Sequence, residues 1–300
     1  MARETSIIKR AISSDGGIRV IFCDSTAIVR RSCEIHKTSK TMTAVLGRAL
    51  TATSLMACLL KDKDNTLTLQ LRGDGPAGSV VCVGDYMGNV RGYADDVTVE
   101  LPPNKFGKLD VGGAVGAGSL YIIKDLGMNE PYVGVSPIVT GEIAEDITEY
   151  FANSEQTPTV CALGVRVDTD NMCFASGGYL IQLMPGFTDE DVERIETNVN
   201  MLASVSQMIA DGKDGDEIIA LLFDGIEYEM FDEFDIGYKC TCERDKYLRA
   251  LATLNEADMN DLRADGIPVE TNCRFCGQKY TFELSEIEEA RRASTRGDEE

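Results

Sequence analysis

Ten cysteines are spread along this chain, and their spacing is the first chemical signal. Six stand singly, at Cys23, Cys33, Cys58, Cys82, Cys161 and Cys173. The other four form two tight pairs near the C-terminus, Cys240-Thr-Cys242 and Cys273-Arg-Phe-Cys276, the second followed by Gly277. In an extended strand residues i and i+2 share a face, so Cys240 and Cys242 can reach one ion together. A Cys-x-x-Cys-Gly knuckle between strands converges two sulfurs and backbone N–H groups on the same point, and Gly277 accommodates its tight backbone. Four thiolates make a closed tetrahedral donor set, best suited to Zn²⁺. The sole histidine, His36, lies far away in sequence, so hydrolytic chemistry at an open coordination position is not expected. Two roles are open. A Cys₄ zinc site is ordinarily structural, contributing on the order of 10–16 kcal/mol to a small metal-dependent fold. Alternatively it is a redox switch: zinc keeps the sulfurs as thiolates, the form oxidants attack, and each pair contains its own resolving partner for a sulfenic acid.

The elements that position these residues are partly legible. The 44–60 stretch surrounds most of a helix with apolar side chains (Leu46, Leu50, Leu55, Met56, Leu59), so the helix must be buried. Residues 66–72 alternate, with Leu67, Leu69 and Leu71 on one face, and read as a strand. Residues 79–83 and 89–93 read as a hairpin, and 119–123, 132–139, 160–167 and 179–184 as further strands. A short helix carries Ile143, Ile147, Tyr150 and Phe151. Strands that precede or surround a few helices predict an α+β core rich in antiparallel sheet, over residues 1–184. Thr188, with Asp191 three residues on, caps a helix whose apolar stripe runs from Val192 to Ile209, and a second short helix holds Ile218 to Phe223. Residues 185–231 therefore read as a helical linker with an apolar face that must pack on something. Residues 232–300 read as a small zinc-binding unit. Phe234, Ile236 and Tyr238 lead into Cys240, 244–254 is helical, Asn255 caps another helix that Gly266 ends, and 269–272 and 278–282 flank the knuckle. That unit has few large apolar residues for its length, so losing zinc would unfold it. The mixed-charge tail from Ser285 is expected to fray.

Composition narrows the function. The chain has 300 residues, 43% hydrophobic and 26% charged, with a net charge of −21. It is foldable without disulfide staples, and its acidity argues against nucleic-acid binding, which rests on Lys and Arg. Residues 1–10 lack the apolar run of a secretory signal, and 44–60 is too short and polar to span a bilayer. The expectation is a soluble cytoplasmic protein, whose cysteines are not a structural disulfide framework.

The cysteine pairs at this separation resemble the zinc centre of the Hsp33 family, the redox-regulated molecular chaperones. Upstream segments are similar to that family's motifs too: 69–76 (LQLRGDGP), 91–94 (RGYA), 150–158 (YFANSEQTP) and 177–185 (GGYLIQLMP). The likeness covers essentially the whole chain in order. It implies an ATP-independent holdase, not an enzyme, built of a core domain, a helical linker and a C-terminal redox-switch domain. It implies that Cys240, Cys242, Cys273 and Cys276 hold Zn²⁺ in a reduced, inactive form. By the family pattern, oxidation forms the disulfides Cys240–Cys242 and Cys273–Cys276, releases zinc and exposes apolar surface to unfolding client proteins. The active form would be a homodimer that hands clients over to refolding chaperones. The six core cysteines depart from a minimal pattern: they either scramble disulfides or lie buried and inert, and burial is the default for Cys58, Cys82, Cys161 and Cys173 within apolar segments.

Two other classes are weighed. A thiol–disulfide oxidoreductase needs its Cys-x-x-Cys at a helix N-terminus in a thioredoxin-like context, unlike the strand setting expected here. A zinc-ribbon nucleic-acid module conflicts with the charge. Gly73-Asp74-Gly75 and the 112–118 glycines fit neither phosphate-loop pattern and read as turns or bulges, and Gly177-Gly178 as a bulge or close backbone approach. His36 reads as a surface or helix-edge residue, the carboxylates of 232–235 as solvated, and Ser154-Glu155-Gln156 as a helix end with structural hydrogen bonds.

Overall fold

The buried helix of the sequence analysis is the axis of the first unit. In the computed structural model, which describes residues 5–297, two hairpin strands β1 (Ser6–Ser13) and β2 (Ile18–Asp24) lead into helices α1 (Thr26–His36) and α2 (Lys40–Ala57). Then follow β3 (Thr66–Gly73), the hairpin β4 (Ser79–Asp85) and β5 (Val90–Ala94), α3 (Val111–Val115), β6 (Gly118–Asp125) and β7 (Tyr132–Pro137). After α4 (Ala144–Tyr150) and a π-helical turn come β8 (Thr159–Val167) and β9 (Cys173–Leu183). The linker region supplies α5 (Asp189–Met201), α6 (Val205–Ala210) and α7 (Gly215–Leu222), and β10 (Tyr228–Ile236) follows.

Two antiparallel five-stranded sheets result, in the orders β10-β1-β2-β9-β8 and β5-β4-β3-β6-β7. Helix α2 packs on β3, β4 and β5 of one sheet and on β8 and β9 of the other. That placement is why it needs apolar residues all round. Two of its threonines are satisfied within the helix, Thr51 and Thr53 donating to the Gly47 and Ala49 carbonyls. The α+β, antiparallel-rich expectation is borne out.

The linker helices cover the face of the first sheet that α2 does not. Ile18, Val20, Phe22, Tyr179 and Ile181 form a second apolar cluster with Ile195, Val205, Met208, Ile218 and Leu222. The capping box at Thr188 and Asp191 forms as expected. The single stripe from Val192 to Ile209 does not form one helix, however. The chain leaves the helix at Leu202–Ser204, and α6 then packs onto β8 and β9. Tertiary packing overrides the periodicity here. A Cβ on Gly164 would lie 2.6 Å from Ser206 Oγ, and one on Gly177 would lie 2.4 Å from Ile209 Cδ1. Gly177 thus marks a close approach, one of the two readings its sequence allowed.

Strand β10 differs from the sequence reading as well. Residues 232–236, grouped above with the cysteine unit, are hydrogen-bonded to β1. Its carboxylates are not merely solvated. The register sets Asp232 opposite Arg10 and Glu233 opposite Lys9, and both pairs form ion pairs. Lys9, almost wholly buried, also bonds Asp216 at 2.7 Å, tying the first turn of α7 to the sheet.

The chain divides into two compact units, 1–239 and 240–300. The second contains α8 (Arg244–Ala252), α9 (Glu256–Asp265), the hairpin β11 (Val269–Asn272) and β12 (Lys279–Phe282), and α10 (Leu284–Gly297). Asn255 caps α9 by accepting from the Asp258 N–H, and Gly266 ends it in the left-handed region. The tail does not fray at Ser285. Ile287 is fully buried beside Met259 and Phe282, and Arg244–Glu286 and Arg263–Glu288 ion pairs flank it, so the mixed charges lie on a helix. No helix among the described residues is long and apolar enough to cross a membrane.

Candidate metal centre

The two cysteine pairs converge. The Sγ atoms of Cys240, Cys242, Cys273 and Cys276 all lie within 4.8 Å of one another. The Cys273–Cys276 knuckle is the β11–β12 turn. Cys273 N–H donates to the Gln278 carbonyl at 2.9 Å, Gly277 N–H donates back to the Cys273 carbonyl at 2.8 Å, and Gly277 adopts φ +73°. A side chain at Gly277 would strain that turn. Cys240 and Cys242 lie on an irregular segment before α8, not on the extended strand expected, yet both sulfurs reach the cluster.

Two contacts run across the pairs: Cys240 to Cys273 at 3.7 Å and Cys242 to Cys276 at 3.4 Å. A tetrahedron with Zn–S bonds of about 2.3 Å has sulfurs roughly 3.8 Å apart, so the donor set fits a zinc ion. All four donors are cysteine sulfurs, which leaves no place for a bound water.

Two tyrosines complete the site, and neither is foreshadowed by the cysteine spacing. Tyr280 Oη lies 3.3 Å from Cys242 Sγ and donates to the Cys242 carbonyl. Tyr247 hydrogen-bonds Cys273, and its ring lies 5.2 Å from that of Tyr280. The available signal was the i, i+2 placement of Tyr280 and Phe282 on the strand leaving the knuckle. Burial opposes the Cys273 thiolate, but hydrogen bonds from Tyr247 and from the Cys276 and Phe275 backbone outweigh it and bring the thiol down to about 6. Desolvation leads the opposite shift at Cys240 and Cys276, whose thiols are pushed up. The Tyr280 hydroxyl is raised to about 12, chiefly by its hydrogen bond with Cys242. Four anionic sulfurs at this separation repel one another, and a bound dication is what lets all four ionise together.

The remaining cysteines are elsewhere. Cys23, Cys33, Cys58, Cys82 and Cys173 are buried in the first unit, and Cys161 is half-buried there. Desolvation pushes the Cys58 thiol up to about 12 and raises Cys23, Cys82, Cys161 and Cys173 as well. Such thiols are poor nucleophiles. His36 ends α1 and its Nε2 lies 3.2 Å from Tyr238 Oη, the helix-edge role expected. Glu155 ends the π-helical turn, bonded by Tyr150 and Lys124, also as expected. The Gly73–Gly75 turn packs against the backbone of Val115 and Gly116, and Asp74 accepts from the Ala117 N–H, which leaves it no room as a phosphate loop.

A two-sheet α+β unit and a second unit with four convergent cysteines are shared with a class of chaperones, and comparison with known proteins places the chain within it. The family model described as Hsp33 protein matches residues 6–283. The 33 kDa chaperonin of Symbiobacterium thermophilum is 41% identical over 94% of this chain and 96% of its own. That of Agathobacter rectalis is 42% identical over 95% and 99%. The crystal structure of the 33 kDa chaperonin from Thermotoga maritima superimposes with a TM-score of 0.89 at 34% identity, covering 98% of this chain and 100% of that one. The chain belongs to the Hsp33 family, and its relatives' shared name points to a chaperone role.

Proposed function

We propose that this protein is a redox-regulated, ATP-independent holdase of the cytoplasm, inactive when reduced and zinc-loaded. The observation that carries the reading is a four-sulfur cluster in a unit whose fully buried large apolar side chains are Met259, Phe282 and Ile287. So small a core depends on the cross-link between its cysteine pairs. A bound zinc ion supplies that link and holds the sulfurs as thiolates. Peroxide takes two electrons from each pair, leaving the disulfides Cys240–Cys242 and Cys273–Cys276 and water. A disulfide offers no thiolate ligand, so the pairs no longer hold a metal and 240–297 loses its fold. In this reading 1–184 is the core, 185–231 the linker and 232–300 the switch region, whose first residues form β10. Loosened linker helices uncover Phe22, Val20 and Ile181, an apolar face suited to unfolding clients. The −21 charge keeps the opened form soluble. The active species is a homodimer, and reduction passes clients to refolding chaperones. The knuckle lies in a β-turn and not at a helix N-terminus, which favours this reading over thiol–disulfide exchange catalysis.

The test pairs two readouts on purified protein before and after peroxide with mild heating: zinc release to a metallochromic dye, and suppression of aggregation of a denatured client. Zinc release with new anti-aggregation activity that reductant reverses supports the switch. Zinc loss with no gain of activity refutes it and returns the cysteines to a structural role.

A further inference from the structure

Two of the four family-like segments, 150–158 and 177–185, meet at a cavity of about 410 Å³ in the first unit. Nothing in the holdase reading uses it. Arg19 stands on its wall, and the cavity continues to Met184, Pro185 and Phe187, where the chain leaves β9 for the linker. Its volume lies in the range of small-molecule sites.

The Arg19 guanidinium is positioned but not neutralised. Its NH2 donates to Gln182 Oε1 at 2.6 Å, and the buried Gln182 amide is fixed in turn by donating from Nε2 to Thr159 Oγ1 at 3.2 Å. Among the described residues Arg19 Nε has no hydrogen-bond partner. No carboxylate there lies within ion-pair distance of Arg19. The one acid in the cavity, Glu155, is taken by Lys124 and Tyr150. In a chain of net charge −21, an unneutralised and half-buried arginine is conspicuous. Burial and the neighbouring charge of Arg10 both press against the guanidinium. Met56, Leu59, Leu67, Phe151 and Phe187 supply apolar wall beside it, and Glu155, Gln156 and Thr157 supply polar wall. A planar fork beside apolar walls recognises a carboxylate on a hydrocarbon body.

We propose that this cavity binds a carboxylate carried on a short apolar chain, with the carboxylate on Arg19 and the chain against Met56, Leu59 and Phe151. The carboxylate belongs either to a free alkyl acid or to the C-terminus of a peptide ending in an apolar residue. Occupancy engages Phe187 and Met184, so the ligand sits at the root of the linker.

The test uses reduced, zinc-loaded, full-length protein, isotope-labelled for NMR. Hexanoate is titrated against hexanamide, and N-acetyl-glycyl-leucine against its C-terminal amide. The expected result is saturable shifts at 155–158 and 182–187, with each acid binding about 10-fold more tightly than its amide, or about 1.4 kcal/mol. Tighter binding of the peptide acid assigns the site to chain termini, and tighter binding of hexanoate assigns it to free alkyl acids. Arg19→Gln abolishes the preference for acid over amide. Phe187→Asp, at a partly exposed position that does not threaten folding, weakens the acids more than the amides. Equal affinity for acids and amides, shifts confined elsewhere, or preference unchanged in both variants overturns the proposal.

Discussion

Replacing Ile287 by alanine tests whether the metal leaves through unfolding of its unit. The side chain is fully buried against Met259 and Phe282, and the residues on either side of it are held by ion pairs to Arg244 and Arg263. Deleting three carbons from a fully buried side chain costs an amount inside the usual 2–5 kcal/mol range, about 3 kcal/mol. That is roughly a 100-fold rise in the population of the opened unit. The substitution leaves the cysteines and the first unit unaltered, while Tyr247 and Tyr280 pack against the same apolar cluster. The assay is zinc transfer from reduced protein to excess chromogenic chelator, alongside denaturant unfolding of the C-terminal unit. Transfer should accelerate about 100-fold, and the peroxide dose that elicits anti-aggregation activity should fall. Ile122→Ala, a cavity of similar chemistry in the first unit, should leave zinc transfer unchanged. If Ile287→Ala destabilises the unit by the expected amount while zinc transfer keeps its wild-type rate, the metal escapes from a folded site and the unfolding mechanism is refuted.

Three further outcomes are expected. Gly164→Val places a side chain where a Cβ already lies 2.6 Å from Ser206 Oγ, so α6 should lift from β8 and client binding should appear without oxidation, read by light scattering under reducing conditions. After zinc removal at pH 8, iodoacetamide should label Cys240, Cys242, Cys273 and Cys276 but spare Cys23, Cys58 and Cys82 until denaturant is added, as peptide mass mapping would show. Burial works against the Glu155 carboxylate, but Lys124 and Tyr150 outweigh it and hold its pKa below 4.5. Its contribution is therefore present above the unfolded value and lost as pH falls through the folded one, and Glu155→Gln should flatten the acid limb of first-unit unfolding below about pH 4.5.

The features legible in the sequence are those encoded by neighbours in the chain. Helix α2 announced its burial by apolar residues on every side, the β4–β5 hairpin by its turn, and α5 and α9 by caps at Thr188 and Asn255. The cysteine pairs carried their chemistry in their spacing. What was not legible depends on distant partners. Strand β1 holds Lys9 and Arg10, charges that discourage a core-strand reading until β10 supplies Glu233 and Asp232 more than two hundred residues later. The break between α5 and α6 follows from glycines on β8 and β9, not from any breaker at 202–204. Helix α10 looked like a charged tail because its apolar anchor is chiefly Ile287, whose partners lie on α9 and β12.

The return of the chain to β1 has a consequence for reversibility. Residues 184–227 leave from β9 and re-enter at β10, and both strands belong to one sheet with only β2 and β1 between them. The two exits are thus about 15 Å apart, three strand spacings. Released linker helices remain a closed loop anchored at both ends and not a free arm. Their effective concentration at the vacated face stays in about the millimolar range, whatever the protein's own concentration. In the holdase reading proposed above, a client would hold that face only while it outcompetes an intramolecular rival that never diffuses away. On that reading weakly bound chains would be displaced by the protein's own tether, with no nucleotide required.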